Sequence, residues 1–292
     1  MRVGLFVPSV APIATPEFLT AFARAAEDNG FASVWLGEHV VLFDEYESLY
    51  PYAGDGKITI PATSGMLDPF AALGFIAAST ERVRIGTAVC LLPQRNPVAT
   101  AKEISTVDWL AAGRLDVGIG IGWLREEFEA LDAPFPQRAA RCREYVEVCK
   151  RLWCDEVSSY EGRFYRLPAC RMFPKPVQQP HPPLYFGGES DAALRRVADL
   201  GDGWHAFNLM PDAARERVAA LHRLLDERGR SRADVDVTVS PYLEPVRPEH
   251  LVQFRDAGVD QLVLMAFALD AAGIRDTIGR LGEEYCAPAT KL

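Results

Sequence analysis

Residues 182–207 read PPLYFGGESDAALRRVADLGDGWHAF. An apolar run, Leu184-Tyr185-Phe186, stops at Gly187-Gly188; Ser190 then opens SDAALRRVADLG, a helical pattern, and a second strand-like run, DGWHAF, follows. Strand, turn, helix and strand in succession form the βα unit from which parallel sheets are built. The adjacent glycines make either a plain turn or a backbone that another group must approach closely.

Outward from this stretch the same alternation runs along the whole chain. Upstream, RVGLFVPS, SVWLGEH, RVRIGTAVCLL and RLDVGIGIG read as four strands; PPLYFGG and DGWHAF are the fifth and sixth, and VDVTVS and DQLVLMAF the seventh and eighth. Helical patterns lie between them. Three open with a capping residue followed by proline, Thr15-Pro16, Asp68-Pro69 and Asn96-Pro97, and the first and third close at Gly30 and Gly113. Others cover 123–131 with 137–153, 190–200, 211–228, 248–257 and 270–284. Near-continuous apolar strands such as QLVLMAF imply burial on both faces. With no composition shift to mark a linker, the chain reads as an α/β protein, a single (β/α)8 TIM barrel over residues 1–292.

Two segments exceed the bare barrel. Residues 40–66, VVLFDEYESLYPYAGDGKITIPATSGM, follow strand two and read as a lid; residues 155–181 precede strand five and read as a hairpin around Glu161-Gly162 with a proline-rich connector.

The 292 residues are 49% hydrophobic and 24% charged, with a formal net charge of −9. That balance, without a Lys/Arg block, argues against a nucleic-acid partner. The first residues lack a signal-peptide pattern, no 18-residue apolar stretch occurs, and the six cysteines are scattered without CxxC. A reduced, cytoplasmic protein with no membrane association is expected. No HxH or HExxH pairing occurs either, so no metal site is expected.

In a barrel the chemistry belongs at the C-terminal ends of the strands. Strand two ends at Glu38-His39, where an imidazole suits a general acid or base. His205 lies on strand six, while His181, His222 and His250 fall in a connector or helices. On strand four Gly118, Gly120 and Gly122 alternate with Val117, Ile119 and Ile121, which strips one strand face of side chains. Either a flat group lies against that face or the glycines relieve crowding inside the barrel. Trp123 follows where a dinucleotide fingerprint needs its spacer, so GxGxxG is not met. Gly187-Gly188 with Ser190 at a helix start would offer backbone N–H groups and a hydroxyl to a phosphate.

The strings TAKEISTVDWLAAGRLDVGIGIGWLREEFEALD and PPLYFGGESDAALRRVADLGDGWHAF resemble the luciferase-like monooxygenase superfamily. EHVVLFDEYESLYPYAGDGKITIP and ERVRIGTAVCLLPQRNP resemble its actinobacterial branch assigned to coenzyme F420, an 8-hydroxy-5-deazaflavin. The resemblance implies an F420-dependent oxidoreductase acting on a small-molecule substrate, with His39 as proton donor or acceptor beside the hydride-transfer carbon. It implies a non-prolyl cis peptide at Ala88-Val89 backing the ring, with the cofactor's phosphate on Gly120-Ile121-Gly122 and Gly187-Gly188. Glu38 stands where the family commonly has Asp and is expected at the ring. Trp123 stands where the sugar-phosphate dehydrogenases have Glu, which points to a more apolar or planar substrate; Trp123, Tyr46, Tyr50 and Tyr52 would shape its pocket. A homodimer through the second and third helices is also implied, with Leu73, Phe75, Ile76 and Trp109 as candidate contacts. FMN as cofactor of a monooxygenase, or a flavin-binding protein without catalysis, are the alternatives.

Overall fold

The computed structural model describes residues 1–242 and 244–292. In chain order they form β1 (Arg2–Phe6), α1 (Pro16–Asp28), β2 (Ser33–Leu36), α2 (Pro69–Ala77), β3 (Arg84–Thr87), α3 (Pro97–Leu110), β4 (Leu115–Ile119), α4 (Arg125–Ala130), α5 (Arg138–Cys154), β5 (Ser158–Glu161), β6 (Arg166–Cys170), β7 (Leu184–Gly187), α6 (Asp191–Leu200), β8 (Gly203–Phe207), α7 (Pro211–Glu227), β9 (Asp236–Ser240), α8 (His250–Asp256), β10 (Gln261–Met265) and α9 (Ala271–Leu281). Eight strands close a parallel barrel in the order β1-β10-β9-β8-β7-β4-β3-β2. The eight are those the sequence pattern marks. β5 and β6 pair antiparallel as the expected hairpin. Its turn is tied to α5 by Glu144, whose carboxylate accepts from the backbone N–H groups of Arg163, Phe164 and Tyr165 at 2.8–3.2 Å.

The expected caps form. Thr15 accepts from the Phe18 N–H, Asp68 from Ala71, Asn96 from Val98 and Ala99, and Ser190 from Ala193. Each such cap contributes about 1 kcal/mol to starting its helix. Between the helices and the barrel wall lies the main core, where Phe18, Phe22, Leu73, Phe128, Phe186, Trp204 and Phe254 are fully buried. Inside the barrel a second cluster, Trp35, Tyr185 and Val263, packs with Phe6 and Ala88.

Below that cluster, at the N-terminal ends of the strands, the barrel is closed by paired polar groups. Arg84 Nε donates to Asp116 at 2.8 Å and Arg2 to Asp236 at 2.5 Å; the Tyr185 hydroxyl also donates to Asp236, at 2.7 Å. Ser33 Oγ accepts from both Trp35 Nε1 and Gln261 Nε2. This floor blocks one end, so access to the interior is from the C-terminal ends of the strands.

The bare face of β4 is filled by the chain itself. A Cβ on Gly118 would lie 1.9 Å from the Thr87 carbonyl oxygen, and one on Gly120 would lie 2.4 Å from Val89 Cγ2. The glycines therefore admit the continuation of β3. The crowding alternative is correct, and no flat ligand is needed to account for these residues. The Ala88-Val89 peptide is cis, as the resemblance implies.

Helix α2 corrects part of the expected dimer face. Leu73 and Ile76 are buried in the core, whereas Phe75 and Trp109 are 41% and 58% exposed. Among the described residues no helix is long and apolar enough to cross a membrane.

Candidate active site

His39 stands three residues beyond β2, in the loop that leaves the barrel mouth. Its Nδ1 lies 3.0 Å from Oε2 of Glu127, with side-chain exposures of only 9% and 1%. The other carboxylate oxygen, Oε1, accepts from the N–H of Val40 at 2.6 Å and of Val41 at 3.4 Å. A buried carboxylate demands such partners. Because a carboxylate can only accept, the neutral imidazole must carry its proton on Nδ1, which leaves Nε2 as the nitrogen with a free lone pair.

Glu127 escaped the sequence reading. A signal existed: Glu126-Glu127 are adjacent acids in the first turn of the helix directly after a barrel strand, where functional groups concentrate. Glu126 fastens the loop further along, accepting from the Glu47 N–H at 2.7 Å and the Ser48 hydroxyl at 2.7 Å. Burial alone would raise its carboxyl, but the Ser48 hydroxyl and the backbone N–H groups of Glu126, Glu47 and Ser48 hold it down at about 2.

Glu38, expected at the cofactor ring, is committed to the protein instead. Oε2 accepts from the Leu91 N–H at 2.6 Å and Oε1 from Arg95 Nε at 2.6 Å. Arg95 also pairs with Asp68 and Glu103, both at 3.0 Å. Glu38 thus positions the turn after β3; its extra methylene relative to Asp gives it that reach.

The expected pocket residues do meet. Tyr46 and Tyr50 lie 5.8 and 5.1 Å, centroid to centroid, from Trp123, which stands edge-on to His39 at 5.7 Å. The series continues from Tyr50 to Tyr52 at 5.5 Å, to Phe207 at 4.9 Å and to Tyr242 at 4.5 Å. Residues 40–66 therefore reach across the mouth on aromatic contacts. Tyr52 also donates its hydroxyl to Oε2 of Glu189 at 2.9 Å, and the Phe207 N–H donates to Oε1 at 2.7 Å. Burial pushes the Glu189 carboxyl up, against the lowering effect of those two donors. Burial likewise pushes up the hydroxyls of Tyr50 and Tyr52.

At the end of β7, Gly188 has φ +99°, a conformation that favours glycine. Its carbonyl accepts from Trp204 Nε1 at 3.0 Å. Ser190, expected to offer its hydroxyl to an anion, accepts from the Ala193 N–H as the helix cap. The N–H groups of Asp191 and Ala192 open α6 without an intrahelical acceptor. At the end of β4, Gly122 has φ +76° and its carbonyl accepts from Arg138 Nε at 2.9 Å. Ile121 lies between Gly120 and this turn.

His205 does not join His39. It is buried inside the barrel, edge-on to Trp35 at 4.7 Å, and burial pushes it down to about 3, so the ring is neutral. Among the described residues no group of three or more metal-binding side chains comes together.

Comparison with known proteins places this geometry in context. The family model described as luciferase-like monooxygenase matches residues 1–243. An uncharacterised protein of Mycobacterium tuberculosis is 32% identical over 244 residues, which span 83% of this chain and 85% of that one. The F420-dependent glucose-6-phosphate dehydrogenase of Kineococcus radiotolerans is 30% identical over 230 residues, 77% of this chain and 63% of that one. Among solved structures, the oxygenating constituent of 3,6-diketocamphane monooxygenase from Pseudomonas putida, in complex with FMN, superposes with a TM-score of 0.76 over 98% of both chains; at 15% identity it speaks for the fold alone.

Proposed function

The chain belongs to the luciferase-like monooxygenase family, and on that premise we propose that it is an oxidoreductase that uses the deazaflavin F420 to exchange a hydride with a small, largely apolar substrate. The carrying observation is the His39–Glu127 pair at the mouth. A flavin-type group with a phosphate is supported at the mouth by the turn at Gly188, whose φ of +99° leads the chain into α6, and by the N–H groups that begin that helix, which suit an anion. Buried just beyond β1 and β3, the Ser9 hydroxyl and both polar atoms of the Gln94 amide have no hydrogen-bond partner among the described residues, which suits the donor and acceptor edge of a ring.

When bound, the deazaflavin supplies a ring carbon that accepts or gives a hydride. Nε2 of His39 takes the substrate's hydroxyl proton in the oxidising direction and returns it in the reducing one, while Glu127 holds the opposite nitrogen. Trp123, Tyr46 and Tyr50 present aromatic surface to the substrate and limit water at the mouth. The exposed Phe75 and Trp109 support a homodimer through α2 and α3.

The test is equilibrium binding of F420 and, separately, FMN, followed by tryptophan quenching, with oxygen uptake measured for each reduced cofactor. F420 binding without oxygen uptake, and loss of turnover but not of binding in His39→Ala, is the expected result. FMN binding alone, with oxygen consumed, would replace the proposal by a reduced-flavin monooxygenase.

A further inference from the structure

Branched apolar side chains usually fill the inside of a TIM barrel. β9 departs from that rule. Its residues 236–240 read DVTVS; Val237 and Val239 join the core under the helices, and the alternation turns Asp236, Thr238 and Ser240 to the barrel interior. The neighbours in register agree. Thr238 lies between His205 of β8 and Gln261 of β10, and Ser240 stands opposite Phe207. His205 meets Trp35 edge-on inside the barrel, and Gln261 donates to Ser33 there. Asp236 belongs to the floor network and Phe207 to the aromatic series at the mouth, so this polar stripe runs the length of the interior.

Above Asp236 the stripe is sealed and unsatisfied. His205 is 2% exposed, and Thr238 and Ser240 are fully buried. Neither ring nitrogen of His205, nor Thr238 Oγ1, nor Ser240 Oγ has a hydrogen-bond partner among the described residues. His39, His181 and His250, by contrast, each have one. Burial keeps the His205 ring neutral, so one of its nitrogens must donate and the other accept. Each hydroxyl can do both. Buried polar groups left bare are costly and rare. Three such side chains on the same face of two adjacent strands point to a shared partner that is small and can both donate and accept. Water answers that description, making about three hydrogen bonds in a buried site. Serine at the upper position also fills less volume than the branched residues common inside barrels.

We propose that the barrel interior holds a cluster of ordered waters bridging His205, Thr238 and Ser240, a wet inner wall along β8 and β9 below the mouth. The two nitrogens of an imidazole point away from each other, so one water cannot serve both and at least two are needed. Thr238, in register with His205, shares one of them, and Ser240 extends the cluster toward Phe207. The cluster gives the aromatic mouth a polar inner edge, whichever cofactor the protein uses.

A high-resolution crystal structure of the intact protein is expected to show waters about 3 Å from Thr238 Oγ1, Ser240 Oγ and the ring nitrogens of His205. A direct hydrogen bond from His205 to Thr238 or Ser240, or an interior without ordered water at these atoms, overturns the cluster. The second test is energetic coupling, read from urea denaturation midpoints. Thr238→Val removes only the hydroxyl and His205→Gln keeps a polar group; each is expected to lower the midpoint. Combined, they are expected to lower it by clearly less than the sum of the two shifts, because both variants lose the same water. Additive shifts overturn the bridge. Should His205→Gln fail to fold, Thr238→Val with Ser240→Ala supplies the same comparison.

Discussion

The two ends of the barrel handle buried charge in opposite ways. At the floor each charged group is matched within the chain, Arg84 to Asp116 and Arg2 to Asp236, with Tyr185 completing the set. At the mouth the matching is partial. His39 has one nitrogen engaged, Glu189 is held by a hydroxyl and one N–H instead of a cation, and Arg125 and Arg138 share the Phe135 ring without an ion pair among the described residues. A self-satisfied network stabilises and does no chemistry; groups left with unused donors and acceptors are the ones that can bind and transfer protons.

The contrast is sharpest where the floor is broken. Asp116→Ala strands Arg84 inside the barrel end and is expected to lower unfolding free energy by about 3 kcal/mol, measured by denaturant titration. A loss below about 0.5 kcal/mol would erase the distinction between the ends.

Glu127→Gln probes the mouth. Glutamine keeps an oxygen for the Val40 N–H and turns its NH2 toward Nδ1, so the neutral ring must accept there and carry its proton on Nε2. Turnover is expected to fall about 10²-fold or more with little change in cofactor affinity or stability, and imidazole ¹⁵N shifts should report the exchanged tautomer. If stability collapses instead, Glu127 belongs with the floor as a purely structural acid.

Glu126 supplies the pH arm. Its folded carboxyl is held at about 2 against an ordinary 4.5, so the depressed value makes its contribution present above 4.5 and lost as pH falls through 2. Amide exchange at Glu47 and Ser48 should lose protection across that window, and Glu126→Gln should remove the pH dependence. Protection that ignores pH in the native protein would rule out this anchor.

The smallest effect concerns the outer surface, remote from both ends. Trp109→Glu is expected to convert a dimer to a monomer in light scattering while leaving cofactor affinity within about twofold. A dimer that persists would place the interface elsewhere.

How much of this was legible follows from the range of each interaction. Cap-proline pairs and strand periodicity are local, and they located eight barrel strands and the opening of their helices. The glycine alternation on β4 showed that one face was bare but not that Val89 fills it. Helix α2, PFAALGFIA, is apolar on every side, so its pattern held no direction from which to tell Leu73 and Ile76 from Phe75.

His39 could be singled out because it ends a strand, and Trp123 because it interrupts a glycine pattern. Their partners could not. Glu127 meets His39 across 88 residues of chain, and Glu189 meets Tyr52 across 137. The sequence by itself determined the βα rhythm, because helical and strand periodicities and caps act within a few residues. Barrel closure alone decided which acid holds the imidazole and which acids tie down residues 40–66, because those contacts exist only once distant strand ends share one rim.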